Sequence, residues 1–219
     1  MTSRSSRSKR NLQPSGAPDS ADDGKIRCTW AIGKTADPPY TRYHDDEWGV
    51  PVRDDQRLFE FLILEGAQAG LSWRTVLHKR AAYRCAFLDF NIAQVAAMSD
   101  AHLEKLLLDP GLIRNRLKIY SARNNARAAL DIIDECGSLD AWLWSFVGGK
   151  PLLNEWSSHA QVPATSGISD ALSKALHKRG FRFVGSTIMY AFMQATGMVN
   201  DHLTSCFCHP QNRNGKSPA

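Results

Sequence analysis

Residues 169–197 read SDALSKALHKRGFRFVGSTIMYAFMQATG. Two helical runs, Ser169–Arg179 and Ser186–Thr196, flank the connection Gly180-Phe181-Arg182-Phe183-Val184-Gly185. Gly180 can close the first helix in a left-handed conformation. Gly185 lets a backbone approach closely, and Ser186 or Thr187 can cap the second helix. Backbone N–H groups in such a turn can point at a single phosphate, helped by the positive end of the second helix. Lys178, Arg179 and Arg182 add charge there. From spacing alone, an ordinary antiparallel helix pair with glycine turns accounts for the stretch better than a phosphate-binding helix–hairpin–helix.

The rest of the chain reads in the same way. Asp54–Glu65 is apolar nearly all round, through Leu58, Phe59, Phe61, Leu62, Ile63 and Leu64, as a buried helix requires. Ser72–Asp89 follows, carrying Trp73, Val76, Leu77, Tyr83 and Phe87, and Gly66 is expected to turn the chain between the two. Ile92–Met98, Ser99–Leu108 and Ile113–Cys136 come next, punctuated by Asp109-Pro110-Gly111 and Gly137. Leu139–Val147 reads as a short helix ending at Gly148-Gly149, and Lys150–Ala164 as a long connection. No segment alternates as a strand and no repeat is present, so the predicted fold class is all-α. Residues 1–27 are rich in Ser, Arg, Asp and Gly and read as a disordered tail, as does the short stretch 211–219. One helical domain over 28–210 is expected.

The chain has 219 residues and a net charge of +5. Six basic and three acidic residues lie in the tail Met1–Arg27, so the folded part carries only about +2 and any basic nucleic-acid-binding face would have to come from clustering. Five cysteines make an odd count with no paired spacing, and no secretory segment is evident. That argues against a disulfide framework and for a reducing cytoplasm. No apolar run approaches the roughly 20 residues of a membrane span.

Three groups of residues carry possible chemistry. Tyr43-His44-Asp45-Asp46-Glu47-Trp48-Gly49 puts flat aromatic faces beside a possible metal ligand. Glu65-Gly66-Ala67-Gln68-Ala69-Gly70-Leu71-Ser72-Trp73 puts a carboxylate at the end of an apolar run, then small residues, then an indole. Burial of Glu65 would raise its pKa in the absence of a donor or cation. Cys28 and His44 near one end of the folded part, with His202 and Cys206 near the other, could fill a tetrahedral metal shell. His202 and Cys206 have the i, i+4 spacing of one helix face, but Cys208 and His209 compete as ligands and buried thiols are common without metal. Cys85 and Cys136 read as incidental thiols, and His78, His102, His159 and His177 as solvated.

From about Cys28 to Pro210 the chain closely resembles the DNA-3-methyladenine glycosylase I family, chiefly in the Tyr43–Gly49 and Glu65–Trp73 stretches. The resemblance implies an enzyme that flips alkylated adenine out of duplex DNA and hydrolyses its glycosidic bond, releasing free 3-methyladenine. It implies a helix–hairpin–helix at 169–197, with Arg179, Gly180, Arg182, Gly185, Ser186 and Thr187 at the DNA. Tyr43 and Trp73 are expected to stack on the base, with Trp30 and Trp48 close by and Glu65 on the base edge. Gln68, Gly70 and Leu71 are expected at the duplex, where Gln68 or Leu71 fills the vacated stack. One structural zinc held by Cys28, His44, His202 and Cys206 would join the two ends of the domain. Relatives that also cut the strand use a lysine where Thr187 stands here, so no lyase activity is expected. Asp201 lies near the position of an aspartate that other superfamily members use, and it is given no catalytic role. The enzyme is expected to act as a monomer. The competing readings are a zinc-stapled helical module that binds damaged DNA without cleaving it and, less favoured, a zinc hydrolase.

Overall fold

A computed structural model describes residues 23–32 and 37–213. Helices dominate it. The chain order is α1 (Pro38–Arg42), a single π-helical turn (Tyr43–Glu47), α2 (Asp55–Gln68), α3 (Trp73–Ala86), α4 (Ile92–Ala96), α5 (Asp100–Leu106), α6 (Arg116–Cys136), α7 (Leu139–Ser145), α8 (Gly167–Lys178) and α9 (Ser186–Ala195). One short parallel pairing escaped the sequence reading. β1 (Leu152–Leu153) lies beside β2 (Val199–Asn200). Two residues per strand are too few to show alternation.

α2 is the axis of the molecule. Leu58, Phe59, Phe61, Leu62 and Leu64 are all buried, because α3, α6, α7 and α9 surround the helix. Local signals set the helix starts. The Asp54 carboxylate accepts from the Arg57 N–H at the start of α2, and the Ser72 hydroxyl from the Thr75 N–H at the start of α3.

Gly66 does not turn the chain as expected; α2 continues through it to Gln68. Its bare Cα is needed for a close approach instead. A Cβ there would lie 3.1 Å from the Cβ of Phe183 and 3.2 Å from its carbonyl oxygen, so the 180–185 connection packs directly on α2. The turn comes later, at Gly70, where φ is +76°.

A buried ion cluster fixes α3 on α2. Arg80 donates to Glu60 at 2.8 Å and to Glu47 at 2.8 Å, and Arg84 donates to Glu60 at 2.6 Å. These guanidinium donors outweigh the desolvation that would raise the Glu60 pKa and hold it below the usual carboxylate value.

The expected tail boundaries are too generous. Arg27 is buried, with its guanidinium between Asp45 (2.7 Å) and Asp23 (2.7 Å), and the Phe207 N–H donates to the Ile26 carbonyl. At the other end, Asn212 donates to the Thr204 carbonyl and Arg213 to that of Asp45. The body therefore includes 23–27 and 211–213, while the remainder of both expected tails lies outside the described residues.

Candidate active site

Several segments meet around one cavity of about 160 Å³. The π-helical turn supplies Tyr43, α2 supplies Glu65 and Gln68, and α3 supplies Trp73 at its first position. Trp30 and Trp48 complete the five residues expected at the base, and all five line the cavity together with Gln68, which was expected at the duplex. The sequence reading missed Tyr40, His159, Ala191 and Gln194, which also line it. The i, i+3 spacing of Tyr40 and Tyr43 was the available signal, while His159 and Gln194 arrive from distant segments. His159 is exposed, as expected, yet stands at the rim.

The aromatic rings are inclined to one another. Tyr43 and Trp73 lie 5.2 Å apart at 50°, and Trp30 meets Tyr40 and Trp48 edge-on at 5.4 and 5.0 Å. Edge-on and tilted contacts of this kind are favourable aromatic geometries, and here they surround the cavity. Glu65 is the one carboxylate lining this cavity and has no hydrogen-bond partner among the described residues. Burial alone pushes its pKa up to about 8. Gln194 is held by Asp201, whose carboxylate also accepts from Asn154, Trp156 and Tyr190 at 2.7–2.8 Å. Asp201 is thus consumed by four donors from two segments, α9 and the connection after β1.

Beyond Trp48 lies a second constellation. Ligand atoms of Cys28, His44, His202 and Cys206 all lie within 4.8 Å of one another, and all four residues are buried. Cys206 Sγ is 3.5 Å from His44 Nε2 and 3.6 Å from His202 Nδ1, and Cys28 Sγ is 3.6 Å from His202 Nδ1. The outer nitrogens settle the tautomers. His202 Nε2 donates to the Trp48 carbonyl at 2.9 Å, and His44 Nδ1 to the Asp45 carboxylate at 2.8 Å. Each inner nitrogen therefore keeps its lone pair for a cation. The cluster can hold a metal ion.

The segment carrying His202 and Cys206 is a series of turns, not the helix face that their spacing suggested. Cys208 makes a smaller group with His44 and Asp45, and His209 faces away, toward the Asn154 carbonyl. Cys85 and Cys136 are exposed.

At the 180–185 connection, α8 ends with paired hydrogen bonds from Gly180 N–H to the His177 carbonyl and from Phe181 N–H to that of Leu176. Gly180 has φ +87°, as its expected role requires. The capping expectation fails. Gly185 is the cap residue of α9, and the Ser186 hydroxyl instead meets Ser169 and the Asp170 carboxylate. The backbone N–H groups of Gly185, Ser186 and Thr187 have no acceptor among the described residues. Arg182 is exposed. Arg179 pairs with Glu135 at 2.8 Å and lines a groove with Asp131 and Asp134. Asn125 holds the connection from below: its amide accepts from the Arg182 N–H (2.8 Å) and donates to the Arg182 carbonyl (3.0 Å). Leu71 is 43% exposed and does not line the cavity, and Lys118 fixes its turn by donating to the Ala67 and Ala69 carbonyls.

Comparison with known proteins gives one consistent answer. Residues 30–209 match the family model described as methyladenine glycosylase. The chain is 49% identical over 187 residues to DNA-3-methyladenine glycosylase 1 of Escherichia coli (strain K12), covering 85% of this chain and 98% of that one. A crystal structure of 3-methyladenine DNA glycosylase I superposes with a TM-score of 0.81 at 51% identity, over 84% of this chain and 100% of that one. A Staphylococcus aureus enzyme, solved to show the structural basis of 3-methyladenine recognition, superposes with a TM-score of 0.79 at 37% identity, over 80% and 94%. No helix among the described residues is long and apolar enough to cross a membrane.

Proposed function

The chain belongs to the methyladenine glycosylase family and is a glycosylase, and on that premise we propose that it excises 3-methyladenine from alkylated duplex DNA by hydrolysis. The observation that carries this reading is Glu65, a buried carboxylate without a partner in an aromatic-lined cavity. Such a group is costly when ionised unless a cation or donor joins it. A 3-methyladenine in DNA supplies both, a positive ring and an exocyclic amino group. Tyr43, Trp73 and Trp30 hold the ring by stacking and cation–π attraction, and Trp48 closes the far wall. Glu65 accepts from the base edge and stabilises its charge.

The methyl group makes the base a good leaving group, so no strong general acid is needed. The protein's tasks are extrusion, selection and admission of water. Leu71, held outward by the Gly70 turn, is an apolar wedge for the gap left by the flipped base, with Gln68 behind it at the cavity.

The same premise supports a helix–hairpin–helix at 169–197. The unpaired N–H groups of Gly185–Thr187 at the positive end of α9 suit one phosphate, with Arg182 beside them. Arg179 drops out of that set because of its acidic neighbours. Thr187 has no amine for an imine, which supports hydrolysis without strand cleavage. One glycosylase domain of about 28–210, extended by the few ordered residues at each end, holds all these parts.

Zinc is the metal that suits the four-residue cluster. A tetrahedral shell with Zn–S about 2.3 Å and Zn–N about 2.0–2.1 Å separates sulfur from nitrogen by roughly 3.5 Å, which the sulfur–nitrogen distances of 3.5–3.6 Å match. Four protein ligands leave no open position, so the ion would be structural and would tie Cys28 to Cys206. Release of free 3-methyladenine from methylated DNA, measured by chromatography, tests the reading. Wild-type protein that binds such DNA without releasing base would make it a damage-binding module.

A further inference from the structure

A second, larger groove lies on the other side of the 180–185 connection from Arg179. It has a volume of about 610 Å³ and is bounded by α6 residues Leu117, Tyr120, Asn124 and Arg127 and by Arg182 and Phe183. The α6 residues recur at helical spacing, so they form one face. That face is unusual for a free helix surface. Leu117 is 72% exposed, and Tyr120 lines the groove with it.

The charge in the groove is of one sign. Arg123, Arg127 and Arg182 line it and no carboxylate does. Arg123 is engaged, by Asp100 at 2.6 Å and the Met98 carbonyl at 2.8 Å. Arg127 spends only its Nε, on the Ala96 carbonyl at 3.0 Å, leaving its terminal nitrogens free. Glu104, which accepts from the Tyr120 hydroxyl, pairs with Arg116 at 2.6 Å.

The groove is also continuous with the proposed DNA face. Arg182 belongs to both. Lys118, next to Leu117, fixes the turn that carries Leu71. The wedge, the groove and the N-terminus of α9 therefore follow one another along α6.

We infer that this groove receives the sugar–phosphate backbone of the DNA substrate beyond the hairpin phosphate. Arg127 and Arg182 pair with successive phosphates, and Leu117 and Tyr120 lie against the apolar faces of the sugars. The inference rests on the glycosylase reading, since it extends the same DNA face. Charge complementarity selects the occupant, because an apolar peptide would leave Arg127 and Arg182 unpaired.

The test uses full-length protein and a methylated duplex of about two helical turns, with binding measured across a range of salt. Leu117→Glu, which changes an exposed residue without a hydrogen bond to lose, should weaken binding about tenfold. Leu117→Gln should do so far less. Arg127→Gln should reduce the salt slope by about 1. Base release at saturating DNA and affinity for free 3-methyladenine should stay at wild-type values for all three, because the cavity is untouched. Unchanged DNA affinity and salt slope in both Leu117→Glu and Arg127→Gln would overturn the inference and leave an acidic protein partner as the alternative occupant. Failure of the wild type to release any base would instead defeat the glycosylase reading, so the two failures are distinguishable.

Discussion

His44 and Cys206 stand 162 positions apart in the chain, yet His44 Nε2 and the Cys206 Sγ lie 3.5 Å apart in the interior. The adjacent residue, Tyr43, lines the aromatic cavity. Trp30 contacts the His44 ring edge-on at 5.1 Å, and Trp48 lies nearly parallel to it at 6.2 Å. The metal cluster is therefore one wall away from the cavity, and whatever holds His44 also holds the aromatic rings.

Metal removal should act on both. Purified protein is expected to carry one zinc by elemental analysis. A strong chelator, or Cys206→Ser, should lower the melting temperature, because metal binding is coupled to folding. Asp45→Asn should weaken metal affinity about 10–100-fold through His44. Shortening the chain to begin at Asp23 should leave melting unchanged, whereas beginning at Cys28 removes Arg27 from Asp45 and should lower it. Metal-free protein of full stability would refute the zinc assignment.

Glu65 should make stability depend on pH. Its pKa in the fold is about 8, against an ordinary 4.5. A carboxyl with a raised folded pKa contributes fully below about pH 4.5 and loses that contribution as pH rises through about 8. At about 1.4 kcal/mol per unit the loss is at most roughly 5 kcal/mol. Glu65→Gln should flatten the stability profile over that window. Equal pH slopes for the two proteins in denaturant titrations would show that Glu65 is already ionised at neutral pH.

Selectivity should follow from the same carboxylate. It suits 3-methyladenine, which offers an amino donor, and opposes 7-methylguanine, which turns a carbonyl oxygen toward the corresponding region. Unpaired polar groups cost about 1–3 kcal/mol each, so 3-methyladenine should be released far faster. Glu65→Gln should slow its release and weaken binding of the free base. Tyr43→Ala and Trp73→Ala should each cost about 1–3 kcal/mol in base binding. Equal release of both lesions by wild type would place selectivity elsewhere in the cavity.

The two arginines near Gly180 should behave differently. Arg182→Glu should weaken DNA binding and flatten its salt dependence. Arg179→Glu, set among Asp131, Asp134 and Glu135, should leave DNA affinity nearly unchanged. Equal losses from the two substitutions would mean that DNA reaches the acidic groove.

Strand cleavage is not expected. Borohydride reduction during turnover should trap no protein–DNA adduct, since Thr187 cannot form an imine. A trapped adduct would contradict hydrolysis as the sole chemistry.

Much of this was legible in the sequence because helices announce themselves locally. The apolar run Leu58–Leu64 gave α2, and Gly180 gave the end of α8. The aromatic residues and Glu65 were legible as a group, since two short stretches carry most of them. What stayed hidden depends on packing between distant segments. The π-helical turn at Tyr43–Glu47 has no separate sequence pattern, although its Trp48 N–H to Tyr43 carbonyl bond orients both the cavity and the cluster. Gly66 looked like a chain turn because the approach of Phe183 lies 117 residues away in sequence. Arg179 looked like a phosphate ligand because nothing local reveals Glu135.

Asn125 has one more consequence. Its amide substitutes for a neighbouring peptide group, taking both the N–H and the carbonyl of Arg182, while Asn124 holds the Gly180 carbonyl at 2.7 Å. The loop between α8 and α9 is thus templated by a helix outside the pair it connects. Grafted alone onto another scaffold, the 169–197 segment would keep its sequence and lose its shape. The hairpin is not a portable cassette but a surface relief of the whole domain.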